Sequence, residues 1–202
     1  MPTLSTLVGD GFDRPDGSDL GSPWDVITSV SAFNISGNTA VPSSLAADCG
    51  ERRNDVNPGA DQWAEAAITV TGSPADTSLN GAGVCVRMSP TAETGYILTA
   101  TNDRIKMFRV VAGAATFLVQ LLLTWTNGDR LRFEAVGSRL AAYINNVERL
   151  VTTDTQITGG GFPGIFYGST TATAAVNDFA AGSFGVPEAI RQPVTQWARR
   201  TR

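Results

Sequence analysis

Histidine is absent from this 202-residue chain. Its absence removes Ser–His and Cys–His nucleophile pairs and any histidine-bound catalytic metal. Lysine is nearly absent too: Lys106 stands alone against fourteen arginines, so a lysine base has one address. Charged residues make up only 17% of the chain and the formal net charge is −4, which argues against a general nucleic-acid binder, since phosphate attraction needs a net basic face. No apolar run approaches the ~18–20 residues that a membrane span requires. The opening segment MPTLSTLV lacks the basic region and long apolar stretch of a signal peptide. The expectation is a protein made in a cytoplasm and not exported by the general secretory route. Cysteine is scarce, with Cys49 and Cys85 only. A bridge between them would stabilise by about 4 kcal/mol in the chain-entropy account. Two reduced thiols is the reading favoured for a chain without a signal peptide.

What is present is β-forming. Hydrophobic residues at 42%, with 21 glycines and 10 prolines, fit one large all-β domain with many turns. Ala64, Ala66, Ile68 and Val70 alternate against Glu65, Thr69 and Thr71. Leu131, Phe133 and Ala135 alternate against Arg130, Arg132 and Glu134, the cleanest period of two in the chain. Further strands are expected near 8–13, 24–29, 32–41 and 174–182, and across 104–111. The apolar run 117–125 reads as a strand buried on both faces, and Asn127-Gly128 as a hairpin turn. Residues 42–61, including Cys49, read as a long irregular loop. No repeat of fixed period is visible.

Two segments at opposite ends carry a family resemblance. They are DGFDRPDG (10–17), followed by SDLGSPW (18–24), and VNDFAAG (176–182). An Asp-Phe strand at each end points to first and last strands that pair and close a sandwich. With the Asn145-Asn146 hairpin and the glycine-rich TGGGFPGI (158–165), the pattern resembles the concanavalin A-like jelly rolls, in their laminin-G-like branch, over residues 8–184. The resemblance implies an all-β jelly-roll sandwich over 1–184, with Phe12 and Phe179 as core neighbours and Trp24 packed under its edge. A C-terminal extended arm over 185–202 follows.

The superfamily's glucanases carry two catalytic carboxylates on a Glu-x-Asp-x-x-Glu strand. No such string occurs here: Glu65, Glu134 and Glu148 each lack another carboxylate two residues away. The expectation is no enzyme. For metal, Asp10, Asp13, Asp16 and Asp19 recur every third residue, and Asp178 should lie beside the first strand. Asp10 and Asp178 are therefore candidate ligands of a structural calcium, against the alternative of turn-capping aspartates. For sugar, Trp63, Tyr96, Trp125, Tyr143 and Tyr167 are the aromatics to consider, with Asn102, Asn127 and Asn145 in turns. Trp63, Trp125 and Asn127 are the candidates expected to be exposed.

The tail has its own character. Residues 185–202 hold Arg191, Arg199, Arg200 and Arg202 against Glu188, a charge of +3, leaving −7 on the rest. Arg191, Trp197, Arg199, Arg200 and Arg202 are the expected partner-attachment residues, since Arg and Trp are enriched among interface hot spots. A stand-alone jelly roll with no signal peptide, no catalytic set and a basic tail resembles a virion protein of a tailed bacteriophage, a capsid decoration or minor tail or fibre protein. That resemblance implies a virion location, a capsid or tail protein of the same particle as partner, several copies, and weak binding of host-surface glycan. The alternative is a free carbohydrate-binding module or lectin, and behind it a glycoside-active enzyme.

Overall fold

Strands account for every regular element in the computed structural model, which describes residues 3–71, 77–124, 126–168 and 173–185. In chain order they begin with β1 (Thr3–Asp10), β2 (Trp24–Val26), β3 (Phe33–Ser36), β4 (Thr39–Pro42) and β5 (Cys49–Arg53). Next come β6 (Gln62–Thr71), β7 (Gly81–Met88), β8 (Gly95–Thr101), β9 (Arg104–Val111) and β10 (Ala114–Leu122). The last are β11 (Asp129–Val136), β12 (Arg139–Ile144), β13 (Val147–Thr153), β14 (Phe162–Gly168) and β15 (Thr173–Gly185).

They form two antiparallel sheets. One runs β13-β12-β11-β6-β15-β4-β3, with β1 added to β15; the other runs β10-β9-β8-β7-β14-β5-β2. Inward residues of both sheets make one core, in which Ala64, Ala66 and Ile68 of β6 meet Val84, Leu98 and Met107 of the opposite layer. A smaller apolar cluster, with Ile27, Cys85, Ile97 and Phe166, covers the outer face of the seven-stranded sheet. Cys49 and Cys85 are both buried and unbridged, the reduced reading. Burial pushes the Cys85 thiol far up, so it packs as an inert small side chain.

The chain ends pair as expected. β1 lies antiparallel on β15, with Asp10 opposite Phe179, and a Cβ at Gly182 would come within 1.8 Å of the Ser5 carbonyl oxygen. Only glycine allows that approach. Phe12 and Phe179 are buried on either side of Trp24, with ring centroids 5.7 Å and 5.0 Å from the indole. The first strand ends at Asp10, however, and Phe12 enters the core from the left-handed region at φ 55°.

Three expectations are corrected. Residues 32–41 are not one strand but the β3–β4 hairpin, turned by Gly37 and Asn38 at φ 58° and 60°. The stretch 42–61 contains β5, whose five residues are all buried, because each of its charges has a partner. Glu51 accepts the Phe33 N–H at 2.8 Å, Arg52 donates to the Pro90 carbonyl at 2.8 Å, and Arg53 pairs with Asp55 at 2.8 Å. The apolar run after Ala114 is no doubly buried strand: β10 is the edge of its sheet, with Phe117 38% and Leu122 63% exposed. Uniform apolarity reflects Leu118, Val119 and Leu121 reaching the core from an edge. Beyond Gly185 the arm, with Arg191, Trp197, Arg199, Arg200 and Arg202, lies outside the described residues, as does Trp125.

Candidate functional site: a groove on the eight-stranded sheet

The alternation of β11 builds the site. Leu131, Phe133 and Ala135 point into the core, so Arg132, Glu134 and Val136 stand on the outer face. Antiparallel register then lines up Glu65 of β6, Arg132 of β11, Tyr143 of β12 and Glu148 of β13 in one row across four strands. The adjacent row holds Trp63, Glu134 and the small Ala141, which adds no bulk. A groove of about 580 Å³ results, lined by the Arg132–Tyr143–Glu148 row with Glu134 and Asn146, and by Leu4, Val136, Arg139 and Phe184.

The row is fixed by its own bonds. The Arg132 guanidinium lies 4.4 Å from the Tyr143 ring centroid, donates from Nε to Glu134 Oε1 at 2.9 Å, and reaches Asn146 Oδ1 at 2.6 Å and Glu65 Oε2 at 3.4 Å. Asn146 is brought there by the tight β12–β13 turn, where Asn145 and Asn146 have φ 50° and 66°. Glu148 accepts from Tyr143 Oη at 2.8 Å and from Arg139 at 2.5 Å. These hydrogen bonds, from Arg139 first and Tyr143 second, hold the Glu148 carboxyl below the usual carboxylate range. Burial pushes Glu134 the other way, only partly offset by Arg132. The Tyr143 hydroxyl is pushed up to about 12 by burial and by its bond to Glu148, and stays a donor at every working pH.

The sequence-derived sugar candidates fare unevenly. Tyr143 is in the groove. Trp63 sits on the same face but is only 4% exposed, with its indole N–H on the Ser183 carbonyl oxygen at 3.3 Å, so no ring face is open to a sugar. Asn127 spends its carboxamide oxygen on the Val70 N–H at 3.0 Å and closes the turn before β11. Asn145 is likewise tied to Arg130 and Asp129. Tyr96 and Tyr167 are fully buried. Arg132, Glu134, Asn146 and Glu148 were missed as a set. The outward half of the β11 alternation was the signal, and it needed the register of β12 and β13 to become a site.

The aspartates do not assemble into a metal centre. The Asp10 carboxylate accepts from Arg14 at 2.9 Å, from the Trp24 indole at 2.7 Å and from the Phe12 N–H at 2.8 Å. Burial raises its carboxyl, but these three donors outweigh it and leave the group below its ordinary range. Asp178 lies one residue from the strand pair but is 60% exposed, with Arg130 at 3.9 Å. A carboxylate already neutralised by a guanidinium makes a poor calcium ligand. Among the described residues no group of three His, Cys, Asp or Glu side chains is placed to hold a metal ion.

No protein-family model matches the chain, and no curated protein does. Solved structures do. The carbohydrate-binding module CBM66 from Bacillus subtilis is similar at 21% identity and a TM-score of 0.64, covering 79% of this chain and 95% of that one. The exoplasmic/lumenal domain of VIP36 in its Ca²⁺- and Man-bound form is similar at 13% identity and 0.56, covering 82% and 84%. The Bacillus licheniformis β-glucanase follows at 9% identity and 0.57, covering 92% and 100%. Identities this low establish the fold alone: the chain is a concanavalin A-like jelly-roll sandwich, the architecture its Asp-Phe end strands announce.

Proposed function

We propose that this domain binds carbohydrate through the groove and does not hydrolyse it. The carrying observation is the Arg132–Tyr143–Glu148 row, a half-buried aromatic held between an arginine and a carboxylate on the open face of a rigid sheet. Tyr143, Leu4, Val136 and Phe184 offer apolar surface to the C–H face of a sugar ring. Asn146, Arg139 and the two glutamates offer donors and acceptors to its hydroxyls. Each arginine is already matched by a carboxylate, Arg132 with Glu134 and Glu65, Arg139 with Glu148. A groove so balanced suits a neutral sugar. The same pairing supports the non-catalytic reading, since a general acid and nucleophile must exchange protons or bonds with substrate, and both groove carboxylates are tied to arginines.

Carbohydrate-binding modules and lectins among the similar structures support this reading over attachment to a phage particle. The attachment residues expected for that role, Arg191, Trp197, Arg199, Arg200 and Arg202, lie outside the described residues. The test is affinity electrophoresis against neutral polysaccharides (β-glucans, mannans, galactans and fructans), with Tyr143→Ala and Tyr143→Phe beside the parent. Retardation by at least one polymer, abolished by Tyr143→Ala, weakened by Tyr143→Phe, and without release of reducing sugar, is the expected result. Equal retardation of Tyr143→Ala and parent, or no retardation by any polymer, refutes the groove as a sugar site, and turnover refutes the non-catalytic reading.

A further inference from the structure

The chain's only lysine lies in the interior. Lys106 is fully buried on β9 between Ile105 and Met107, which point into the core, so its side chain rises from the outer face of the seven-stranded sheet. Its neighbours in the row across that face are small: Thr99 on β8, then Gly83 on β7. The lysine stem therefore crosses β8 toward the segment that leads into β7. That segment is held on the sheet by Leu79, which packs against the cluster of Ile27, Cys85, Ile97 and Phe166. On either side of Leu79 the Lys106 Nζ donates to an oxygen, the Ser78 carbonyl at 2.8 Å and the Asn80 carboxamide Oδ1. Asn80 is buried as well, and the Phe108 ring centroid lies 5.9 Å from Nζ.

An amine on Oδ1 stands one atom from the carboxamide carbon. We propose that Lys106 and Asn80 join through an amide bond between Nζ and Cγ, a covalent crosslink that the chain forms by itself. A desolvated lysine amine is a nucleophile toward carbonyl carbon, and fixed proximity turns a bimolecular encounter into an intramolecular step. The Nζ–Cγ bond forms and the Cγ–Nδ2 bond breaks. Of the three ammonium protons, one stays on the new amide and two pass to the departing nitrogen, which leaves as ammonium. Thr99 is placed to carry those protons. It pairs directly with Lys106, and its hydroxyl is buried without a hydrogen-bond partner among the described residues. A hydroxyl both accepts and donates. The product also relieves the interior, since an ammonium is costly to bury and an amide is neutral. It ties the entry of β7 to β9 across β8, so these three strands stay joined even in the unfolded chain.

Mass spectrometry of the denatured full chain tests this. With Met1 accounted for, the parent is expected to be lighter than its sequence by one ammonia. Trypsin is expected to release residues 54–87 joined to residues 105–109, with no cut after Lys106. Asn80→Ala should show its full sequence mass and an ordinary cut after Lys106. Thr99→Val keeps the shape of the side chain, so it should fold like the parent while crosslinking ~100-fold more slowly in a time course of mass from cell-free synthesis onward. A parent at full sequence mass, or one that has lost ammonia yet releases the two peptides separately, overturns the crosslink. A Thr99→Val chain that closes as fast as the parent overturns the proton relay.

Discussion

Glu51 couples the two sheets through a buried carboxyl, and its titration can be read as stability. The residue sits on β5 of the seven-stranded sheet, is 2% exposed, and accepts the backbone N–H of Phe33 on β3 of the other sheet at 2.8 Å. Burial is the main cause that pushes its pKa from 4.5 up to about 7, with the Phe33 N–H acting against it and Asp19 adding to it. Below about pH 4.5 the group is protonated folded and unfolded, and no penalty exists. As pH rises from there toward 7 the unfolded chain gives up its proton first, so folding is progressively disfavoured. Above 7 the full difference applies, about 3 kcal/mol at 1.36 kcal/mol per unit. Glu51→Gln keeps an oxygen for the Phe33 N–H and removes the charge. Urea unfolding at pH 4 and pH 8 should therefore show the variant equal to the parent at the lower pH and more stable by about 3 kcal/mol at the higher. A stability difference that is the same at both pH values, or a variant less stable at pH 8, would refute the reasoning.

Two further outcomes follow from the strand closure. Phe179→Ala removes the ring 5.0 Å from Trp24 and should lower stability by about 3–5 kcal/mol, as large-to-small changes in packed cores do; an unchanged melting point would place that ring outside the core. Asp10→Asn leaves Arg14 without its carboxylate and should cost about 1–3 kcal/mol, whereas a chelator should leave the parent's melting point unmoved. A melting point that falls in chelator and recovers with calcium would return Asp10 or Asp178 to the ligand role.

How much was legible in the sequence depends on how locally each feature is encoded. The closure of β1 on β15 was readable because Asp10-Gly-Phe and Asn177-Asp-Phe each bring an aromatic to the place where the chain ends meet, Phe179 within β15 and Phe12 two residues past the end of β1. β11 was readable because its alternation is uninterrupted from Leu131 to Ala135. β5 was hidden because Glu51, Arg52 and Arg53 look solvated, and only partners 18, 38 and two residues away make their burial tolerable. The run after Ala114 misled in the opposite sense, since apolarity reports what a strand can bury and not whether a neighbour exists to bury it. Trp63 failed as a sugar platform for a related reason. Its side chain is large enough to suit either role, and the register that sets it between Glu134 and Gly182 decides for burial.

The groove belongs to a third kind, in which each residue is legible and their assembly is not. Arg132 and Tyr143 are eleven positions apart, Tyr143 and Glu148 five, and Glu65 lies in another part of the chain. Only the pairing of β6, β11, β12 and β13 makes them a row. That origin bears on function. The outward residues of β11 alternate with Leu131, Phe133 and Ala135, all fully buried, so the proposed binding face is the reverse side of the core itself. A side chain carried there cannot shift without disturbing packed strands. With Arg132 held by Glu134, Glu65 and Asn146, the proposed sugar would find little conformational freedom left to lose, and preorganisation of this kind favours affinity from few contacts. On the proposed function, the fold contributes rigidity to recognition, and the choice of ligand would fall to side chains that the core does not constrain: Tyr143, Asn146, Arg139 and Glu148.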